Sequence, residues 1–423
     1  MLQKKLIIFD ATLFVNAYET NLFRTGLYRV SEQLLKQLQQ YSDYDIWLYD
    51  TMGRERIMRQ YVMSHYPTCQ LLSLESKAYT ILTDKALQIA DNCRENQLAA
   101  KSGFLKIWYQ FWKNLLRAYA RGIRCLCPLK EVPSTDPTAH YIATYYPIPQ
   151  WVHSNGLKAT LIIHDLIPIA HPEWFPTDAN KHTLESIVYS VTKNDQVVCV
   201  SESTRNDLLA YRTDLLPEQV HVAHLAGADV FTPTPLIDAL RKRIGIVGEY
   251  ILSVCTLEPR KNLQLVVSAY EYMLHQQSCS SIPQLVLVGA IGWKSGALIE
   301  QINDLNTRYP NQIIVTGYIE DTELAQLYTG AMVFVYPSLY EGFGLPPLEA
   351  MQCGCPVITS NVSSLPEVVG NAGVTVAPTD VMALVAAMHE VSINMDSYSR
   401  RSLARAKEFS WRKMAKQVLE NIK

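Results

Sequence analysis

Two glutamates eight residues apart, Glu341 and Glu349, bracket the glycine-rich turn Gly342-Phe343-Gly344, just after the apolar run Val333-Phe334-Val335. The glycines let backbone come close to a ligand. From about Pro346 the pattern Leu348, Ala350, Met351 predicts a helix start, with prolines tolerated in its first turn. Free N–H groups and the positive dipole end at such a point favour a phosphate or sugar oxygen. A second set, Thr256-Leu257-Glu258-Pro259-Arg260-Lys261-Asn262, follows the run Ile251 to Val254. Its adjacent cations, one a planar fork and one a point charge, suit a diphosphate, although a solvated pair leaning on Glu258 is the alternative reading. A third is His164-Asp165, at the end of Thr160-Leu161-Ile162-Ile163. A histidine at a strand end can donate or accept a proton near neutral pH. His221 and His224 show that strand histidines also arise for structural reasons.

The elements that must position these groups alternate between short β-rich apolar runs and longer amphipathic stretches, the pattern of βα units building parallel sheets. In the first half the runs are Leu6–Phe9, Ile46–Tyr49, Ile142–Tyr146, Thr160–Ile163, Val197–Val200 and Val220–Val222. In the second they are Tyr250–Val254, Gln284–Val288, Gln312–Val315, Val333–Val335, Val357–Thr359 and Val374–Val376. Each set suffices for one doubly wound sheet, so the expected class is α/β with two parallel-sheet domains. The stretch from Gly227 to Pro235, with two prolines, discourages regular structure and sets the expected boundary, 1–235 against 236 onward. Ligands of such sheets bind beyond the carboxyl ends of strands, which makes a central cleft between two facing sheets the default site.

Length and composition agree. The chain has 423 residues with a hydrophobic fraction of 48% and a charged fraction of 18%, enough for two cores. Thirty-eight Lys and Arg against forty Asp and Glu leave a formal charge of −2, which argues against a globally basic nucleic-acid binder. No apolar run reaches the length of a membrane span. The N-terminal Met1-Leu2-Gln3-Lys4-Lys5 runs into a strand, so no cleaved signal peptide is expected. Nine scattered cysteines do not form a disulfide framework, and no Cys/His set has zinc spacing. A cytoplasmic, reducing compartment is expected.

The segment 101–130 stands apart. It holds Lys101, Lys106, Lys113, Arg117, Arg121, Arg124 and Lys130, and no Asp or Glu. At 100° per residue Lys106, Lys113, Arg117 and Arg124 form a narrow stripe opposite Trp108, Phe111, Trp112, Leu115 and Tyr119. Two readings stand: a helix lying peripherally on an anionic bilayer, or a helix whose apolar face packs on the N-terminal sheet.

Taken in order, these motifs resemble the retaining, nucleotide-sugar-dependent glycosyltransferases of family 4. The residues that carry the likeness are Glu341 and Glu349 with Pro337-Ser338 before them and Gly354-x-Pro356-Val357-Ile358 after. With them go Glu258-Pro259-Arg260-Lys261-Asn262, Thr316-Gly317-Tyr318 and Ser364-Leu365-Pro366-Glu367-Val368. In the first half they are Arg24-Thr25-Gly26-Leu27-Tyr28-Arg29, His164-Asp165-Leu166 and Val200-Ser201-Glu202-Ser203-Thr204. The resemblance implies the GT-B fold, with two Rossmann-like domains facing a central cleft. It implies an acceptor-side domain over 1–235, a donor-binding domain over 236–405, and a C-terminal helix over 406–423, around Phe409-Ser410-Trp411, crossing back to the first.

The resemblance also implies roles. Arg260 and Lys261 neutralise the donor diphosphate, and Glu349 accepts from ribose hydroxyls. Glu341, with backbone around Gly342, Phe343, Gly344 and Leu345, orients the transferred sugar. Tyr318 and Ile319 flank the base, His164 contacts the sugar, and Gly26 lets its loop approach phosphate or acceptor. Arg24, Tyr28 and Trp174 fall on the acceptor side; the aromatics of His171-Pro172-Glu173-Trp174-Phe175-Pro176 suit stacking on sugar. Where many members have Gly-Arg, this chain has Cys255-Thr256, which leaves more of the phosphate task to Lys261. The one Asp-x-Asp, Asp43-Tyr44-Asp45, precedes a strand instead of ending one, so no metal and no cofactor are expected. The partners implied are a nucleoside-diphosphate hexose, with GDP-mannose the first choice, and a glycan or lipid-linked acceptor in polysaccharide biosynthesis. An epimerase or phosphorylase on the same fold, and a non-catalytic GT-B scaffold subunit, are the competing readings.

Overall fold

The computed structural model of the chain describes residues 4–20, 26–73, 77–99, 102–126, 138–175, 177–276 and 282–422. Thirteen strands are described: β1 (Lys5–Asp10), β2 (Tyr44–Tyr49), β3 (Gln70–Leu71), β4 (His140–Ala143), β5 (Lys158–Ile163), β6 (Gln196–Cys199), β7 (Val220–Val222), β8 (Tyr250–Val254), β9 (Gln284–Val288), β10 (Ile313–Gly317), β11 (Val333–Tyr336), β12 (Val357–Ser360) and β13 (Val374–Val376). They form a seven-stranded sheet in the order β3-β2-β1-β4-β5-β6-β7 and a six-stranded sheet in the order β10-β9-β8-β11-β12-β13. Strands pair in parallel in both. The expected α/β class with two doubly wound parallel sheets is therefore what the chain adopts.

The second sheet shows why its strands read as unbroken apolar runs. Ile251, Leu252, Leu285, Val286, Leu287, Val333, Phe334 and Val335 are all fully buried, as expected when helices cover both faces of a parallel sheet. Val266, Val267 and Tyr270 of the helix Leu263–Gln276 and Leu384 and Val391 of Val381–Ile393 share that core. Gly289, at the end of β9, has φ +142°, and a Cβ there would sit 1.9 Å from the carbonyl oxygen of Cys255. Only glycine lets the ends of β8 and β9 approach so closely.

Internal contacts divide the chain into two compact units, Met1–Ala159 and Thr160–Lys423. Within the first, Phe14 stacks with Tyr61 and meets Tyr28 edge-on, at 5.7 and 5.6 Å between ring centroids. Two long helices, Lys77–Ala99 and Gly103–Leu126, pack against each other; at 1.5 Å per residue the second is about 36 Å long. The periodicity correctly marked that helix, but its apolar face does not pack on a sheet. Phe104, Ile107 and Phe111 are 73%, 72% and 57% exposed, and Trp108, Leu115 and Tyr119 lie open beside them. The half-buried side holds Tyr109, Lys113, Leu116 and Arg117, with Lys113 donating through Nζ to Gln97 Oε1 at 3.1 Å, while Lys106 is exposed. The core-packing reading is thereby corrected: the covered side is mixed, polar and apolar, and the aromatic side is left bare. Lys101 and Lys130, and the side chains of Arg121 and Arg124, lie outside the described residues. No helix among those described is long and apolar enough to cross a membrane.

Candidate active site

The Gly-rich turn and the cation pair meet at the carboxyl ends of β8 and β11. After β8 the chain makes a short 3-10 turn, Pro259–Lys261, closed by Asn262 in the left-handed region at φ 55°. Asn262 is held there by its side chain, which donates to the carbonyls of Pro337 and Pro378 at 3.0 and 2.8 Å. This turn points both cations at one carboxylate. Lys261 Nζ lies 2.6 Å from Glu341 Oε1, and an Arg260 terminal nitrogen lies 2.8 Å from Glu341 Oε2. Arg260 also reaches Glu258 Oε1 at 3.1 Å and the carbonyl of Tyr340 at 2.9 Å. The solvated-pair reading of Arg260 and Lys261 fails, since their side chains are only 16% and 12% exposed.

Burial works to raise the pKa of Glu341, but Lys261 and Arg260 outweigh it and hold the carboxyl down at about 2. The carboxylate is thus ionised at any physiological pH. Lys261 commits two of its three ammonium hydrogens, to Glu341 and to the hydroxyl of Tyr336 at 2.7 Å, which leaves one for an incoming anion. Tyr336, the last residue of β11, is 2% exposed and donates in turn to Glu341 Oε1 at 2.9 Å.

The turn itself is pinned by hydroxyls. Ser363 Oγ accepts from the Glu341 N–H at 3.0 Å, and Ser364 Oγ donates to the carbonyls of Glu341 and Phe343 at 2.9 and 2.7 Å. After β6, Ser201, the N-cap of the helix Glu202–Tyr211, and Thr204 in its first turn donate to the Gly342 carbonyl at 2.6 and 3.1 Å. The loop after β5 presses on the same glycine: a Cβ at Gly342 would stand 2.1 Å from the carbonyl oxygen of His164. So His164, Gly342, Glu341, Arg260 and Lys261 come together. Asp165, beside His164, has its carboxyl pKa raised, chiefly by burial, against the opposing pull of the Ile167 N–H, Arg260 and Lys261.

Among the other expected site residues, Gly344 has φ +113° and caps the helix Leu345–Gln352, which carries buried Glu349. Phe343 is buried, its ring 6.0 Å from His224 and 5.9 Å from Phe409. Leu345 is the first residue of the helix. Tyr318 is 58% exposed and Ile319 is buried, just after β10. Trp174 is part-exposed after β5, stacked on His171. Gly26 and Tyr28 open the helix Gly26–Leu38 in the first compact unit; the Tyr28 ring is buried and its hydroxyl lies 2.8 Å from that of Tyr61. Arg24 lies outside the described residues.

Sequence reasoning missed three contributors. Tyr336 stands one residue beyond the run Val333–Val335 and carried no signal of its own. Asp207 receives the Tyr340 hydroxyl at 2.7 and 2.8 Å from each carboxylate oxygen. Glu367, quoted only as part of a motif, accepts from the Glu202 N–H at 2.8 Å and lies 2.5 Å from His224 Nε2. Among the described residues no group of three or more His, Cys, Asp or Glu is placed to hold a metal ion.

Comparison with known proteins fits this geometry. Residues 238–408 match the family model described as Glycosyl transferases group 1. Over 272 residues the chain is 35% identical to O-antigen chain mannosyltransferase B of Escherichia coli, covering 63% of this chain and 70% of that protein. Among solved structures, a sucrose-phosphate synthase from Thermosynechococcus elongatus aligns over 99% of this chain and 98% of its own with a TM-score of 0.60 at 18% identity. Anabaena HepE, solved in complex with UDP, covers 98% of each chain with a TM-score of 0.61 at 15% identity.

Proposed function

The chain belongs to the group 1 glycosyl transferases, and from that premise we propose that it moves mannose from GDP-mannose onto a saccharide acceptor during polysaccharide assembly, with retention of anomeric configuration and without a metal. The observation that carries this is the pair Arg260 and Lys261, both within 3 Å of Glu341 at the carboxyl end of a parallel sheet. Breaking the anomeric C–O bond puts positive charge on the sugar and negative charge on the departing diphosphate. Fixed cations next to the latter lower the barrier without reorganising at the moment of reaction. The remaining ammonium hydrogen of Lys261 and the guanidinium of Arg260 supply that charge, while Glu341 and Tyr336 keep both from drifting. His164 and the backbone of the Gly342–Leu345 turn bound the place where the sugar would lie. The choice of mannose rests on the likeness to the Escherichia coli mannosyltransferase.

The bare aromatic side of the helix Gly103–Leu126 belongs to the same reading. With no acid between 101 and 130 and Trp108, Phe111 and Trp112 exposed, it suits insertion at the boundary of an anionic bilayer, where a lipid-linked acceptor would be met.

Lys261→Ala tests the site. Losing one preorganised donor of this kind costs on the order of 3 kcal/mol, about a hundredfold in rate. Transfer from GDP-mannose should fall by that factor while the fold survives, and should persist in excess EDTA. Unchanged turnover in the variant would remove the site assignment, and loss of turnover on chelation would remove the metal-free mechanism.

A further inference from the structure

A run of part-exposed aromatic rings begins beside Glu341 and leads away from it. Tyr340, immediately before Glu341, faces His171 at 5.3 Å between ring centroids. His171 stacks on Trp174 at 4.0 Å with 13° between planes. The Trp174 carbonyl accepts from Trp293 Nε1 at 2.7 Å, and the Trp293 ring lies 6.5 Å from that of Phe175 at 29°. Each of these five rings is only partly buried, whereas the aromatic rings of the sheet cores, such as Tyr250, Tyr270 and Phe334, are fully covered.

The run is built rigidly. Tyr340 is fixed by Asp207 through both carboxylate oxygens. Trp293 follows Gly292, whose N–H donates to the Leu257 carbonyl at 3.0 Å and whose Cβ position would meet Leu257 O at 2.9 Å. That sets the loop after β9, which carries Trp293, against the loop that carries the cation pair. Lys294 adds a second tie, donating through Nζ to the Glu173 carbonyl at 3.1 Å.

We propose that this strip, with Trp293 as its outer platform, is an extended subsite for a neutral saccharide chain, so that the acceptor is recognised over several sugar residues and not at its terminal sugar alone. One face of a pyranose presents polarised C–H bonds, which settle on the electron-rich face of an aromatic ring. Part-exposed rings following one another toward Glu341 select for a chain, even though His171 and Trp174 cover one face of each other. Amphipathic rings held in place by neighbours also give contact area at little cost in conformational entropy. The inference rests on the glycosyl-transfer reading.

The experiment uses the whole protein. GDP is titrated first by calorimetry; its failure to bind would count against the proposed function and not against this strip. α-Manno-oligosaccharides of one to four residues, with the corresponding gluco- and galacto-series, are then titrated directly. One series should bind more tightly with each added residue, by about three- to tenfold per step over at least two steps. Trp293→Ala should abolish that gain and weaken the longest saccharide at least tenfold, with GDP affinity changed less than threefold. Trp293→Phe, which keeps a ring but loses the bond to Trp174, should retain most of the gain. No length dependence in any series would overturn the proposal. So would equal losses in Trp293→Phe and Trp293→Ala, because the tryptophan would then serve only as a tie between loops.

Discussion

The ammonium of Lys261 and the hydroxyl of Tyr336 lie 2.7 Å apart, and both reach the same oxygen, Glu341 Oε1, at 2.6 and 2.9 Å. The three groups close a triangle in which each fixes the other two. Tyr336→Phe removes one corner and keeps the ring over which Lys261 lies at 5.2 Å. A buried hydrogen bond lost with its partner left behind costs about 1–3 kcal/mol. Transfer should therefore slow by about tenfold through kcat, with the KM for acceptor unmoved. An unaltered kcat would show that Lys261 and Glu341 hold their places unaided.

Glu341→Gln should be costly to the fold at neutral pH, by about 3–5 kcal/mol, because Lys261 loses its counterion in a buried place and Arg260 is left with Glu258 alone. The sign of its pH dependence follows from the depressed pKa. Ion pairing by a carboxyl held at about 2, against an ordinary 4.5, contributes fully above pH 4.5 and is lost as pH falls through that value toward 2. Urea denaturation of both proteins should therefore show the gap in stability closing between pH 6 and pH 2. A gap that stays constant would mean that the charge on Glu341 is not what stabilises.

Gly342→Ala puts a methyl 2.1 Å from the His164 carbonyl and 2.8 Å from Asp165 Cβ. Backbone must move, at a cost of roughly 1–3 kcal/mol, and the hydrogen bonds from Ser201 and Thr204 to the Gly342 carbonyl move with it. Transfer should drop more than tenfold while circular dichroism still shows the native α/β spectrum. Near-normal activity would mean that the loops after β5 and β11 need not touch during catalysis.

For the helix Gly103–Leu126, sedimentation with phosphatidylglycerol vesicles should carry the protein down, less so at high salt. Trp108→Glu with Phe111→Glu should keep it in the supernatant. If instead the protein ignores vesicles and sediments as a dimer that these changes dissociate, the aromatic side is covered by a second copy.

How far the sequence spoke for itself varied with the range of the forces involved. Twelve of the thirteen strands were legible, because burial on both sheet faces leaves a continuous apolar run. The two-residue β3 is too short to carry any pattern. For β4, the run Ile142–Tyr146 started late and ran past the end, since His140 at its start is a buried polar residue and Tyr145 and Tyr146 continue the apolar look beyond it. Arg260, Lys261 and Glu341 could be singled out because charged residues at strand ends are unusual. Tyr336, Asp207 and Trp293 could not, for their roles depend on partners 75, 133 and 119 positions away. Likewise the 100° period identified the long helix but not its orientation, which depends on a neighbouring helix that covers one side.

Arg260 and Lys261 are matched by Glu258 and Glu341, so these four side chains cancel in sum. An approaching nucleotide sugar therefore meets little net attraction beyond the Debye length, about 8 Å in physiological salt, and capture depends on close-range fit more than on long-range steering. Turnover by such an enzyme should be notably indifferent to ionic strength.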